Sequence, residues 1–280
     1  MSSTRDLLTH RSSLLPMFFD SHCHLTSKQL APQFDDVLTR AQNANVTHFL
    51  NIADDFASAK AANEQAQAAR NRGLEMWSTA GIHPQNALQF TNESGEELRR
   101  LLKRESVVAV GEIGLDYVYD ETHAQFLGAT RLVQQQVFRA QIEIALERQL
   151  PVVIHNRESD EDLLAIVADY PNLRGVFHCF GSSVEIAHRV LDLGFYLGFG
   201  GVLTFKNAQN VRDVAKICPL DKILIETDAP YLAPVPLRGK TNEPSFVPYV
   251  AKVLADLREM QVEEIGAITN RNARELFNLP

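Results

Sequence analysis

The chain has 280 residues, of which 45% are hydrophobic and 22% charged, and its formal net charge is −8. That length exceeds an ordinary domain but suits one α/β barrel, and the composition excludes a disordered polymer. The acidic balance argues against a protein that grips long duplex DNA by charge alone, so any nucleic acid would be held at a few local cations. No apolar run nears the ~18 residues that span a bilayer, so no membrane role is expected. Cys23, Cys179 and Cys218 are an odd number of cysteines in a large chain. They argue against a disulfide framework and for a reducing, cytoplasmic setting.

Residues 1–16, "MSSTRDLLTHRSSLLP", lack the apolar stretch and cleavage site of a signal peptide. They are expected to form a disordered extension ahead of a single domain over 17–280. From Met17 onward, short apolar runs that suit strands alternate with longer stretches that suit helices. The strand-like runs are 17–20, 47–53, 74–84, 107–116, 151–156, 175–181, 194–205 and 222–230. Several are continuously apolar, as in parallel strands covered on both faces. Helical patterns fall at 35–44, 57–72 and 134–149, the last with Val137, Phe138, Ile144 and Leu146 near helical spacing. Two more are expected over about 245–257 and 262–277, after a proline-rich loop.

Eight strand–helix alternations without an internal linker predict a (β/α)8 TIM-type barrel, regular or distorted, with C-terminal helices. A doubly wound sheet is the rival, but no G-x-G-x-x-G follows the first strand.

Barrel active sites lie at the C-terminal ends of the strands. By this reading Asp20, His22 and His24 end the first strand and His83 the third. Glu112 ends the fourth, His155 the fifth, His178 the sixth and Asp228 the eighth. Residues two apart on extended backbone face the same way, so His22 and His24 can offer both imidazoles to one ion while Cys23 turns aside. Cys23 and Cys179 are expected to face away and pack as small hydrophobes. His22, His24, Glu112, His155, His178 and Asp228 are more ligands than one tetrahedral ion needs. Two divalent cations bridged by a carboxylate, with Glu112 as the bridge, are the economical account. Imidazole with carboxylate admits zinc, manganese, cobalt or magnesium, leaning away from magnesium. His10, His48, His123 and His188 read as surface or packing residues.

Taken together, "FDSHCHL", "GIHP", "VGEIGLDY", "VVIHNRES", "FHCFG", "LIETDAPYL" and "RGKTNEP" resemble the TatD family of metal-dependent deoxyribonucleases, among the amidohydrolase-like barrels. The likeness runs from Met17 to the C-terminus. It implies that His22, His24, Glu112 and Asp228 hold one ion, and that Glu112 reaches a second ion held by His155 and His178. It also implies hydrolysis of phosphodiester bonds in DNA, with single strands trimmed from an end. Two departures stand out: Gln85 replaces a histidine common in the family, and "HCFGSS" replaces "HCFSG" or "HCFTG". Some barrels of this class use a carbamylated lysine as the bridge, a place filled here by Glu112.

On this reading Asp228 orients the attacking water or accepts its proton, and Arg157 clamps phosphate. Arg238 and Lys240 hold a neighbouring phosphate, and His83 donates to a phosphate oxygen. Tyr117 and Tyr231 are candidates for stacking a base or for simple packing. The expected partner is single-stranded DNA and the expected working unit a monomer. The competing functions are a small-molecule amidohydrolase or lactonase on the same barrel, and a non-catalytic protein with a structural metal.

Overall fold

The alternation of apolar runs and amphipathic stretches resolves, in a computed structural model that describes residues 17–91, 93–118 and 128–280, into one eight-stranded parallel sheet. The strands are β1 (Phe18–Cys23), β2 (Val46–Asn51), β3 (Glu75–Ala80), β4 (Val107–Asp116), β5 (Val152–Arg157), β6 (Gly175–Phe177), β7 (Tyr196–Phe199) and β8 (Ile223–Ile225). They pair in sequence order. Helices cross between them: α1 (Phe34–Asn43), α2 (Phe56–Arg70), α3 (Ser94–Leu101), α4 (Arg131–Glu147), α5 (Asp160–Ala168), α6 (Val184–Asp192) and α7 (Gln209–Ile217). After β8 come α8 (Val247–Arg258) and α9 (Val262–Phe277). This is the expected (β/α)8 barrel. The expectations for residues 1–16, and for His10 and His123, lie outside the described residues.

Local chemistry explains the helix starts. Asp55 caps α2 by accepting from Ser58 N at 2.7 Å, and Ser58 Oγ accepts in return from Asp55 N at 2.9 Å. The Thr130 hydroxyl caps α4, which therefore begins three residues before the expected 134. Several expected strands were too long. The third stops at Ala80, and Pro84–Gln89 form a 3-10 turn instead; the sixth, seventh and eighth end at Phe177, Phe199 and Ile225. Their apolar composition continues past the last pairing because the chain peels away into loops that stay buried.

Two apolar layers hold the barrel. Phe19, Leu50, Trp77, Val108, Val153 and Leu224 fill its interior, and Ala273, Leu276 and Phe277 of α9 plug the end where the strands begin. Between strands and helices, Phe49, Met76, Ile113 and Ile154 pack against Val37, Phe138, Ile142 and Leu254. Each such side chain contributes about 1.5–3 kcal/mol by leaving water. His48, at the plugged end, is buried as a packing residue, and His188 is exposed on α6.

The seam between β8 and β1 is closed largely by groups other than a strand ladder. Ser21 Oγ donates to Ile225 O at 3.0 Å, Asp228 N to His22 O at 2.9 Å, and His24 N to Ala229 O at 2.7 Å. The Asp20 carboxyl accepts from Thr227 N at 2.9 Å and Thr227 Oγ1 at 2.6 Å. Asp20, which shares the strand-end motif with His22 and His24, therefore belongs to the seam; burial pushes its pKa up to about 8. Among the described residues no helix is long and apolar enough to cross a membrane.

Candidate metal centre

The histidines of β1 reach the rim because the strand carries a bulge. Asp20 pairs with Phe49 while Cys23 pairs with Asn51, one residue more on β1 than on its partner. Strict alternation from the inward Phe19 would point His22 outward; the bulge shifts the phase and turns His22 and His24 to the mouth. Their Nε2 atoms stand 3.1 Å apart. Cys23 faces the outer core, its Sγ donating to Leu50 O at 3.5 Å.

Glu112 lies inside β4 and not at its end, a correction to the sequence reading. A register shift against β5 between Val110 and Ile113 aims its side chain into the barrel mouth. Close backbone approach makes this possible: a Cβ on Gly81 would lie 2.9 Å from Gly111 C, and one on Gly111 would lie 2.7 Å from Val153 Cβ. Only hydrogen fits at either position.

The two carboxylate oxygens of Glu112 face different partners. Oε2 lies 3.5 Å from His22 Nε2 and 3.6 Å from His24 Nε2, while Oε1 lies 2.8 Å from His155 Nδ1 and 2.7 Å from His178 Nε2. Asp228 Oδ1 completes the first side, 3.7 Å from His22 Nε2 and 3.5 Å from His24 Nε2. All six residues named from the sequence as ligands thus meet at one rim.

Three carboxylates that the sequence reading passed over stand behind the imidazoles. Asp54 Oδ1 is 3.3 Å from His24 Nδ1, Asp116 Oδ2 is 3.3 Å from His155 Nε2, and Glu226 Oε1 is 3.5 Å from His178 Nδ1. Such partners orient an imidazole and raise its basicity. Asp116 is itself held by Gln85 Nε2 at 2.9 Å. Glu226 accepts from Cys179 N at 2.6 Å and from Ser21 Oγ at 3.4 Å. Asp54, Asp116 and Glu226 each sit at or just past the end of a strand, so the rule that found the candidate ligands would have found these too.

The electrostatics of the rim favour positive charge. Burial pulls the His24 and His178 imidazoles down, but Asp228 and Asp54 around the first, and Glu112 and Glu226 around the second, hold both well above the usual histidine range. Burial pushes Glu112 up, yet His178, His22 and His83 hold it well below the carboxylate range. Burial and the nearby His178 lower His22. A divalent cation supplies the same charge and displaces the same protons. Buried imidazole nitrogens and carboxylate oxygens that converge within bonding reach, as in the group His22, His24 and Asp228, are a donor set that fits borderline divalent ions.

His83 plays a different part. Burial and His155 lower its pKa to about 4, so it is neutral near pH 7. Its Nδ1 accepts from Gln85 N at 3.2 Å, which leaves the proton on Nε2, 3.7 Å from Glu112 Oε1. A protonated Nε2 is a donor and not a ligand, although His83 also clusters with Glu112 and His155.

The rim opens into a cleft of about 790 Å³. Arg157 and Tyr231 line it, and Arg157 makes no ion pair with a described residue. Arg238 and Lys240 are exposed but do not line the cleft; the Arg238 guanidinium lies 3.8 Å above the Phe205 ring. Tyr117 is buried, with its hydroxyl donating to Asp162 at 2.9 Å, and so packs and does not stack a base. Cys179 lines the cleft where it was expected to face away, and burial with Asp228 nearby pushes its thiol well up, against a thiolate role.

A parallel barrel with imidazoles and acids gathered at the C-terminal rim defines a metal-dependent hydrolase. Residues 19–278 match the family described as TatD related DNase, and the chain belongs to that family. It is 39% identical to an uncharacterized metal-dependent hydrolase, YabD, of Bacillus subtilis, covering 94% of this chain and 100% of that one. It is 36% identical to a protein of Erwinia billingiae named 3′-5′ ssDNA/RNA exonuclease TatD, over 94% and 99% of the two chains. Among solved structures, the TatD homologue YJJV of Escherichia coli superposes with a TM-score of 0.85 at 30% identity, over 94% and 99% of the chains.

Proposed function

We propose that this metal-dependent hydrolase cleaves phosphodiester bonds in single-stranded DNA from an end, at a two-metal centre. The observation that carries the reading is the divided Glu112 carboxylate. Oε2 faces His22 and His24, and Oε1 faces His155 and His178, two donor sets sharing one bridge. Two divalent cations held there, of zinc, manganese, cobalt or magnesium, would lower the pKa of a water and neutralise charge on the phosphoryl oxygens.

The chain's own residues supply the rest. The Asp228 carboxyl is held below its usual range by His24 and His22 against the opposing effect of burial, so it is ionised at neutral pH and able to orient a water or take its proton. His83 offers its Nε2–H to a phosphoryl oxygen. Arg157 offers a guanidinium to the phosphate, whose geometry it matches with two parallel donors. Arg238 and Lys240 remain available to a longer strand that leaves the cleft. The name of the Erwinia billingiae relative supports the same substrate class. We read the setting as the cytoplasm and the working unit as a monomer, because the three cysteines are free and all six ligands come from one chain.

An amide or lactone substrate calls for a mainly apolar pocket. Here most of the lining residues are polar or charged, with Tyr231 and Leu232 the large apolar ones, which favours phosphate. Incubating the metal-loaded protein with a single-stranded oligonucleotide and with a panel of amides and lactones tests the proposal. Release of mononucleotides is expected; turnover of an amide or lactone with intact DNA overturns it.

A further inference from the structure

Among the described residues lining the cleft, Tyr231 and Leu232 are the ones with large apolar side chains, and both are exposed, by 53% and 37%. Every other wall carries polar, charged or small groups, with Arg157 on the β5 side. The Tyr231 ring stands beside the metal ligands, its centroid 6.1 Å from that of His24. Its hydroxyl has no hydrogen bond to a described residue.

An exposed ring on a loose loop would mean little, but this loop is pinned. Tyr231 N donates to Asp228 O at 2.9 Å, and Tyr231 O accepts from Asn242 Nδ2 at 2.6 Å. Asn242 is fully buried, and the same amide donates to Thr227 O at 2.7 Å. The backbone of Leu232 lies so close to Gly201 that a Cβ there would overlap Leu232 O. The main chain of this turn is therefore tied at both ends to the segment that carries Asp228, while the Tyr231 side chain faces solvent. Rigid backbone with a free aromatic face is what a stacking surface requires, since little entropy is lost when a flat partner settles on it.

We propose that Tyr231, with Leu232 beside it, is the stacking platform for the terminal nucleobase of the substrate, the sugar–phosphate crossing the metal floor toward Arg157. This rests on the nuclease reading and adds how the end of a strand is recognised. It gives a physical origin for single-strand preference, because a base presents its face to the platform only when it is unstacked from a duplex neighbour. Every base has such a face, so the platform accepts any sequence.

The test compares two single-stranded oligonucleotides, identical except that one carries a tetrahydrofuran abasic unit at the terminal position attacked. For the wild-type protein, kcat/KM is expected to favour the intact end by about 5- to 150-fold, the equivalent of ~1–3 kcal/mol for one stacked base. Tyr231→Ala should bring that ratio close to one, and Tyr231→Phe should keep it. A wild-type ratio near one, or a ratio that survives in Tyr231→Ala, overturns the platform while leaving the nuclease reading intact. No turnover of either oligonucleotide sinks the nuclease reading and the platform with it.

Discussion

Gly198 of β7 lies directly under the carboxylate of Glu226: a Cβ added there would stand 2.9 Å from Glu226 Cδ and overlap Oε2. Glu226 reaches His178 Nδ1 at 3.5 Å and Cys179 N at 2.6 Å, so the absence of one methyl group on β7 makes room for the group that aims the His178 imidazole just past β6. Gly198→Ala is expected to push Glu226 aside and weaken metal binding at the His155–His178 side by about 10–100-fold, as losses behind a ligand usually do. Glu226→Gln should fall in the same range. Titration calorimetry reads both, with circular dichroism to confirm the fold; unchanged affinity in both variants would remove Glu226 from this role.

The split carboxylate of Glu112 predicts a loss in stoichiometry more than in fold. Glu112→Gln keeps the shape but carries an amide nitrogen in place of one oxygen, so it cannot serve both donor sets. Metal content should drop from two ions per chain to one, and turnover by about 100-fold or more. Inductively coupled plasma mass spectrometry gives the count, and a variant with two ions and full activity would contradict the bridge.

Chelation should abolish hydrolysis without unfolding the protein. The proposed ligands sit at the rim, whereas the apolar clusters that hold the barrel lie below and around them. Each ion present at 100 times its Kd contributes only about 3 kcal/mol, so losing two from a chain of this size means a melting point lower by about 10–15 °C. Calorimetric scans with and without chelator check this. Wholesale unfolding on chelation would favour a structural metal.

At the opposite end of the barrel, His48 predicts a dependence of stability on pH. Burial, and then the Arg274 cation, lower its pKa from 6.5 to about 4. Its Nε2 accepts from Arg274 Nη2 at 2.7 Å, and its Nδ1 is 2.9 Å from Thr47 Oγ1. The folded state therefore prefers neutral His48, whereas the unfolded chain protonates it near pH 6.5. The stabilising contribution is complete above about pH 6.5 and is lost as pH falls toward 4, by at most about 3 kcal/mol. His48→Gln should be less sensitive to acid than wild type over that window. Denaturation midpoints at pH 7.5 and pH 5 provide the comparison, and parallel slopes for the two proteins would refute it.

What the sequence determined by itself was local. Apolar runs alternating with amphipathic stretches specify strands and helices, and eight such units with no G-x-G-x-x-G after the first strand favour a barrel over a doubly wound sheet. Residues two apart on a strand end, as in His22 and His24, share a face whatever follows. The positions of His155, His178 and Asp228 at the ends of apolar runs place them on the same rim, because all the strands run parallel.

Tertiary structure decided which atom meets which. Asp20 shares a motif with His22 but is drawn into the seam by Thr227, a partner 207 residues away. The bulge in β1 exists only against β2, and Glu112 turns inward only because Gly81 and Gly111 let neighbouring backbones approach. Tyr117 carried the right chemistry for a substrate, yet Asp162 engages it instead. Strand periodicity sets the side on which a residue lies. Barrel closure sets its neighbours, and coordination depends on neighbours.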